Sequence, residues 1–444
     1  MLRRWLRRRV RGAGGEARGL AHDSLLLSIG TAATAGGLIA QVSLITHTLG
    51  VRAYGLFALV IAFVALVNRF VDLDVEKALI TFGTSSAGPE ARGGVVKFCY
   101  AVDALTGLVG FVVISILAVL VGDDLAGDRG RDLVVLYGLT LLASTVDTTS
   151  IGVLKLLGRF RTIAWYTILR EALRVVAIGA ALSISESVIS VIIALVIHDA
   201  VVAMLGLRLA TRALTGAGGG RLRDVRLSST RGRRRAMLTL IFHTNLVTTG
   251  SVVQAQAPAL LLGAFRGPTE VGIFKIGWSA AQVVGMFATP LTGAILPRLA
   301  RLWNDGQRRE IARLLKQITI VALPGLLAAG LVLVLLREPL LVGFAGSEAR
   351  AASWVFCIAL AAQVINSVLF WNSSLLYAAG RAAVVSRIYL LSVGMLLVLL
   401  LTLANPLGGE GAALGLLAST VVMNVGLTRV ALRLVRRDPA EAAG

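Results

Sequence analysis

Ionisable side chains stand inside stretches of this sequence that otherwise read as long apolar runs, and they are the residues whose type and spacing could do chemistry. They are Arg69, Asp103, Asp147, Arg170, Glu171, Arg174, Asp199 and Lys275, with His198 beside Asp199. A charge in an apolar run is costly, so each should pair with another or face a water-filled cavity. Arg170 and Arg174 share one helix face at i and i+4, and Glu171 can reach Arg174 at i+3. Pairing within this set therefore competes with substrate contact at Arg69, Arg170 and Arg174. Lys275 differs, because the apolar runs in the second half of the chain contain no Asp or Glu. An ammonium there would favour an anionic visitor, or would snorkel to a headgroup layer.

The second half carries neutral polar groups instead: His243, Asn245, Gln254, Gln256, Gln282, Gln363, Asn366 and Asn372. Asn245, Gln254 and Asn366 are candidates to hydrogen-bond sugar hydroxyls, and the same groups could equally join helices to one another. His198 and Asp199 could form a proton- or cation-coupling pair, since histidine titrates near neutrality, or a buried satisfied pair with no such role. No His-x3-His, Cys-x2-Cys or Gly-x4-Gly-Lys-Ser/Thr spacing occurs. No catalytic residue, metal or cofactor is expected, and the chain does not read as an enzyme.

The elements that must hold these groups follow from composition. The 444 residues are 56% hydrophobic and only 15% charged, with mean hydropathy +0.82, which excludes an ordinary soluble domain. Crossing a bilayer takes about 20 apolar residues, and twelve spans can be read at about 25–49, 53–71, 98–121, 133–153, 163–184, 187–207, 236–265, 271–296, 317–336, 351–380, 388–404 and 411–428. The expected fold is all-α: a polytopic membrane protein of two parallel-repeat six-helix bundles. Its parts are a basic cytoplasmic segment 1–23, a first bundle 24–213, a basic linker 214–235, a second bundle 236–434 and a tail 435–444. Pro258, Pro290 and Pro324 would bend helices of the second bundle.

The net charge of +20 would suggest nucleic acid in a soluble protein, but the charges lie between the spans. With an even span count and a cytoplasmic N-terminus, 34 of the 44 Lys and Arg residues fall on inner segments, the positive-inside pattern of a cell-membrane protein with both termini cytoplasmic. The N-terminal arginines then suit either a short basic amphipathic helix on anionic membrane lipid or a merely solvated tail, and the Arg221–Arg235 cluster reads as a linker between bundles rather than a nucleic-acid site.

Leu49 to Phe57 and Arg266 to Phe274 both read Gly-x4-Gly-[Leu/Ile]-Phe, each between two spans. Gly50 and Gly267 look like left-handed helix stops, while Gly55 and Gly272 would admit close backbone approach. Six spans separate the two copies, so the halves would share one orientation and place substrate between them. Asp128-Arg129-Gly130-Arg131 is similar to a loop signature of major-facilitator transporters, but it follows the third span rather than the second.

Across nearly its whole length the chain resembles the polysaccharide-unit flippases of the multidrug/oligosaccharidyl-lipid/polysaccharide exporter superfamily. The residues that carry the resemblance are Leu49-Gly50, Tyr54-Gly55-Leu56-Phe57, the segment Phe70 to Thr81, Val271-Gly272-Ile273-Phe274 and Ile295-Leu296-Pro297; Asp74 stands where the family often has glycine. The resemblance implies a monomeric V-shaped pair of bundles. Such a protein moves a polyprenyl-diphosphate-linked glycan from the cytoplasmic to the outer leaflet by alternating access, through a cationic lumen. Two other readings stay open: a cation-coupled multidrug exporter of the same superfamily, and a non-transporting membrane scaffold whose charges are all paired.

Overall fold

In this computed structural model the backbone is described for residues 2–436 except 74, 86–87, 128, 221, 223, 225–233 and 287–288. Side chains are described from residue 28 onward, leaving out also 126, 234–236, 239–248, 289–294, 297 and 321. The side chains of the basic N-terminal segment, most of the Arg-rich linker and the tail from 437, with those of His243, Asn245 and Pro290, therefore lie outside the described residues.

Helices account for nearly all of the described chain, and no strand occurs among the described residues. The first half contains α1 (Leu2–Val71), α2 (Glu76–Thr84), α3 (Pro89–Ala126), α4 (Gly130–Gly138), α5 (Thr140–Leu156), α6 (Phe160–Ile184) and α7 (Val188–Gly216). The second contains α8 (Arg234–Arg266), α9 (Pro268–Met286), α10 (Thr289–Asn304), α11 (Arg308–Leu335), α12 (Arg337–Ala345), a 3-10 turn (Ser347–Ala352), α13 (Ser353–Val368), α14 (Trp371–Ala378) and α15 (Ala382–Arg436).

Among the described residues, seven helical stretches are long and apolar enough to cross a membrane. Two of them, Ser28–Val71 and Ala382–Arg436, run 44 and 55 residues, about twice the roughly 20 residues a single crossing needs. Each is bent at one glycine: Gly50 (φ 82°, ψ 173°) in α1 and Gly408 (φ 57°, ψ −137°) in α15. The stop expected at Gly50 is thus a sharp bend without a loop, in a backbone region only glycine enters easily. Gly267, at φ 83°, makes a full break between α8 and α9.

Other expected spans are subdivided. The stretch 133–153 is interrupted at Leu139, 271–296 divides into α9 and α10, and 351–380 into the 3-10 turn, α13 and α14. At the α13–α14 junction the bond Asn372 N–H to Leu369 O (3.1 Å) is of the tighter i→i−3 kind, which re-aims the chain without a proline.

Lipid-type surfaces are visible on the outer helices. On α3, Leu105, Leu108, Val112, Ile116 and Val119 are exposed at helical spacing; on α11, Ile320, Leu323, Leu327, Leu331 and Leu335 are. Such stripes suit hydrocarbon rather than water. Inside, α1 packs along α6 within its own half and along α9 of the other. Buried Val51, Tyr54, Phe57, Ile276 and Phe356 form one apolar cluster across that seam.

The two motif copies meet there. A Cβ added to Gly55 would lie 1.8 Å from the Pro268 carbonyl oxygen, and one added to Gly272 would lie 2.2 Å from that of Val51. Backbone therefore touches backbone at the motif end of the molecule. At the same end, Glu348 accepts from Val51 N–H (3.1 Å) just past the Gly50 bend, and Glu270 accepts from Gly409 N–H (2.9 Å) just past the Gly408 bend. Each carboxylate takes a donor that the bend has left without a helical partner.

Candidate functional site

Asp147, Arg170, Glu171, Arg174 and Asp199 gather on three helices of the first half, α5, α6 and α7. Glu171 of α6 is 3% exposed and carries both neighbouring arginines: Arg170 Nη2 lies 3.2 Å from Oε1, and Arg174 Nη1 lies 3.0 Å from Oε2. Arg170 also reaches Asp147 of α5 at 3.4 Å. Tyr166 donates its hydroxyl to Asp147, with the Val202 carbonyl 2.9 Å away on α7. Room for Glu171 comes from α1, where a Cβ on Gly37 would fall 2.6 Å from its Oε2. Apart from this cluster, Asp103 of α3 is buried and accepts from Thr149 of α5.

His198 completes the cluster from α7. Its Nδ1 is 2.9 Å from Asp199 Oδ1, and its Nε2 is 3.0 Å from the Arg170 carbonyl oxygen. Neutral imidazole has one N–H, yet both ring nitrogens here face acceptors. The arrangement suits either a doubly protonated ring or a proton held on Asp199. Counting that proton, the three carboxylates Asp147, Glu171 and Asp199 are balanced by Arg170, Arg174 and the His198–Asp199 proton.

A cavity of about 350 Å3 lies against this cluster between the halves. Thr34, Gln41, Tyr137, Arg174 and Asp199 line it from the first half, and Gln282 and Met286 from the second. Arg174 and Asp199 are thus brought to one cavity. Arg69 is not among its lining residues. It is buried, 3.7 Å from Asp72, and its Nε donates to Thr249 of α8 at 3.4 Å, which makes it a bridge between the halves.

Lys275 sits on α9 beside α8. Its ammonium donates to Gln256 Oε1 (3.2 Å) and the Ala255 carbonyl (3.4 Å), and makes no ion pair with a carboxylate among the described residues. Pro258 lies within the same turn of α8, and its missing N–H leaves the Gln254 carbonyl, one residue before that of Ala255, without its helical donor.

In the second half, buried Asn372 of α14 and Asn424 of α15 are hydrogen-bonded at 3.0 Å, and Asn424 donates onward to Asn366 of α13 at 2.8 Å. Gln254 accepts from Tyr389 at 2.5 Å. Sequence reading singled out Asn366, Asn372 and Gln254 but passed over Asn424, Gln41, Tyr137, Tyr166 and Tyr389. Asn424 and Gln41 are amides within apolar runs, so the signal was present; a tyrosine's partner has no sequence signal.

A family model described as polysaccharide biosynthesis protein matches residues 20–303, and the MatE model matches residues 254–402. No functionally curated protein matches the chain. Among solved structures, the lipid II flippase MurJ in its inward closed conformation is 13% identical with a TM-score of 0.73, over 95% of this chain and 88% of that one. An inward-facing multidrug resistance MATE family transporter of the MOP superfamily is 13% identical with a TM-score of 0.69, over 94% and 98%. A MOP superfamily transporter from Pyrococcus furiosus, described as having a binding pocket of reverse polarity, is 14% identical with a TM-score of 0.64, over 94% and 96%. These structures share the fold, and those described by an activity are transporters or flippases rather than enzymes.

Proposed function

Because the chain belongs to the polysaccharide biosynthesis protein family and has the fold of the MOP superfamily, we propose that it is a flippase for a polyprenyl-diphosphate-linked oligosaccharide. Transport would run from the inner to the outer leaflet of the cell membrane by alternating access. The observation that carries this reading is the uneven compensation of charge. Arg69, Arg170 and Arg174 each lie within 4 Å of a carboxylate, whereas Lys275 has only neutral acceptors among the described residues. A half-buried ammonium so placed gains most from an anionic visitor.

In this reading Arg174, with Arg170 behind it, and Lys275 attract the diphosphate. Asn245, Gln254 and Asn366 serve the glycan, and Arg69 holds the halves together at Thr249. The tail would lie outside the lumen. An apolar groove of about 490 Å3 between α6 and α7, lined by Leu173, Val176, Ile184, Ile193 and Ile197, also has His198 in its wall. His198 and Asp199 would couple a proton to the cycle, because losing the shared proton turns a balanced cluster negative and disfavours an anion beside Arg174.

The test is flipping of a labelled polyprenyl-diphosphate oligosaccharide in proteoliposomes. The combined changes Arg69→Gln, Arg174→Gln and Lys275→Gln should slow it roughly tenfold or more, since a hydrogen bond to a charged group contributes about 1.5–3 kcal/mol. Wild-type flipping by the triple variant, at equal incorporation, would reject the assignment. The MatE match favours a second reading, a cation-coupled drug exporter. Its cationic substrate would need an uncompensated carboxylate, and Asp199, the only carboxylate among the described residues lining the cavity, is paired with His198.

A further inference from the structure

The second half holds a cavity of its own, about 440 Å3, between α8, α13, α14 and α15. Its described lining consists of Ser251, Asn366, Asn372, Ser373, Asn424, the rings of Phe370, Tyr377 and Tyr389, and aliphatic side chains, without a charged residue. Its volume falls within the roughly 300–1,000 Å3 usual for small-molecule sites.

The direction of the asparagine chain in its wall is fixed by backbone. Asn424 Nδ2 lies 3.0 Å from the Thr420 carbonyl oxygen, which can only accept, so that atom must be the amide nitrogen. Asn424 then presents its oxygen to Asn372. Asn372 agrees from its own side, because its Oδ1 accepts from the Ser373 backbone N–H. At the other end Asn424 Nδ2 also faces Asn366, which must answer with Oδ1. The amide of Asn366 is therefore left with its NH2 group outward, two donors with no partner among the described residues.

Tyr389 supplies the opposite polarity. Its single hydroxyl hydrogen goes to Gln254 Oε1, leaving the phenol oxygen able only to accept. The cavity thus offers a donor pair at Asn366 and an acceptor at Tyr389, beside three aromatic rings and no counter-charge. An ion finds no counter-charge in such a lining. A hydroxyl, which both accepts and donates, finds two, and the apolar face of a sugar ring finds aromatic rings.

We propose that this cavity is a subsite for an uncharged sugar residue of the substrate, read by Asn366 and Tyr389 and separate from the cationic groups that meet the diphosphate. The inference rests on the flippase reading and adds where the glycan is recognised and of what kind it is. It predicts that the diphosphate is met by groups of both halves, Arg174 and Lys275, and the glycan by the second half alone.

The test is equilibrium binding to purified full-length protein in detergent of two probes: polyprenyl diphosphate alone, and the same lipid carrying a neutral hexose oligosaccharide. Asn366→Asp keeps the oxygen facing Asn424 and replaces the outward donors with an acceptor; Tyr389→Phe removes the phenol oxygen. Each should weaken binding of the glycosylated probe about tenfold, the effect of roughly one good hydrogen bond, and leave the bare diphosphate unchanged. Arg174→Gln with Lys275→Gln should weaken both probes. Unchanged binding of the glycosylated probe in both cavity variants, or equal weakening of the two probes, would overturn the subsite while leaving the flippase reading in place. Failure of the unmodified protein to bind either probe would overturn both.

Discussion

Glu171 shows how far single residues could be read in advance. Its contact with Arg174 follows from i,i+3 spacing on one helix, but its role as joint partner of Arg170 and Arg174 also depends on Gly37 of α1, which no local pattern announces. Burying one carboxylate between two cations makes it hard to replace. Glu171→Gln leaves Arg174 without its acid, and breaking a buried pair costs about 3–5 kcal/mol. The arginines are 23% and 28% exposed, so solvent screening holds the expected loss to about 3 kcal/mol, the lower end of that range. Chemical unfolding in detergent measures it, and a loss below about 1 kcal/mol would mean that the pairing is not what holds these helices. His198 poses a different question, about function rather than stability. If its proton is shared with Asp199, His198→Gln and Asp199→Asn should both retain flipping down a substrate gradient and lose its acceleration by an imposed proton gradient. Acceleration surviving in both variants would remove the pair from any coupling role.

At the scale of elements, apolar length and glycine placement made most of the helices legible. A glycine at positive φ turns the chain without adding residues, so the two spans expected on either side of Gly50, and the two on either side of Gly408, are joined by a sharp bend rather than a loop. The short break after Val368 has no Gly or Pro beside it, whereas the one at Leu139 directly follows Gly138, a glycine within the apolar run that was not read as a break. Helix α2 was missed because nine residues make too short a window; its anchor is the 2.7 Å ion pair from Glu76 to Lys155. The repeated glycines, by contrast, say something definite about α1 and α9. A methyl group at Gly55 cannot coexist with the Pro268 carbonyl, so Gly55→Ala should cost about 1–3 kcal/mol or more through overpacking. Gly36→Ala, where a Cβ meets nothing within 4 Å, should be neutral or stabilising by up to about 1 kcal/mol. Equal unfolding midpoints for the two variants would show that the motif end is not tightly closed. Glu348 crosses the same seam to Val51 N–H, and Glu348→Ala should ease opening at that end, read as faster labelling of a cysteine placed at Arg52.

For the whole molecule, the partition of charge between chain segments carries the strongest sequence information, because it constrains topology without reference to any contact. Of the 44 Lys and Arg residues, 34 fall on the segments assigned to one side if twelve spans are correct. One span more or fewer before the linker would turn the second half over, put its basic loops outside and move Lys275 to the other leaflet. The functional reading therefore depends on parity. Single cysteines test it directly in a variant with Cys99 and Cys357 replaced by alanine, probed in intact cells with a membrane-impermeant maleimide. Arg129→Cys, Glu338→Cys and Glu410→Cys lie in segments expected outside and should label. Gly218→Cys in the linker and Arg381→Cys between α14 and α15 should label only after the membrane is permeabilised. Labelling at Arg129 together with Gly218 would break the parity of the first half, and labelling at Glu338 together with Arg381 that of the second. The second result would undo the twelve-span count; the first would separate Arg174 and Lys275 from a common path, and with it remove the reason for assigning an anionic substrate.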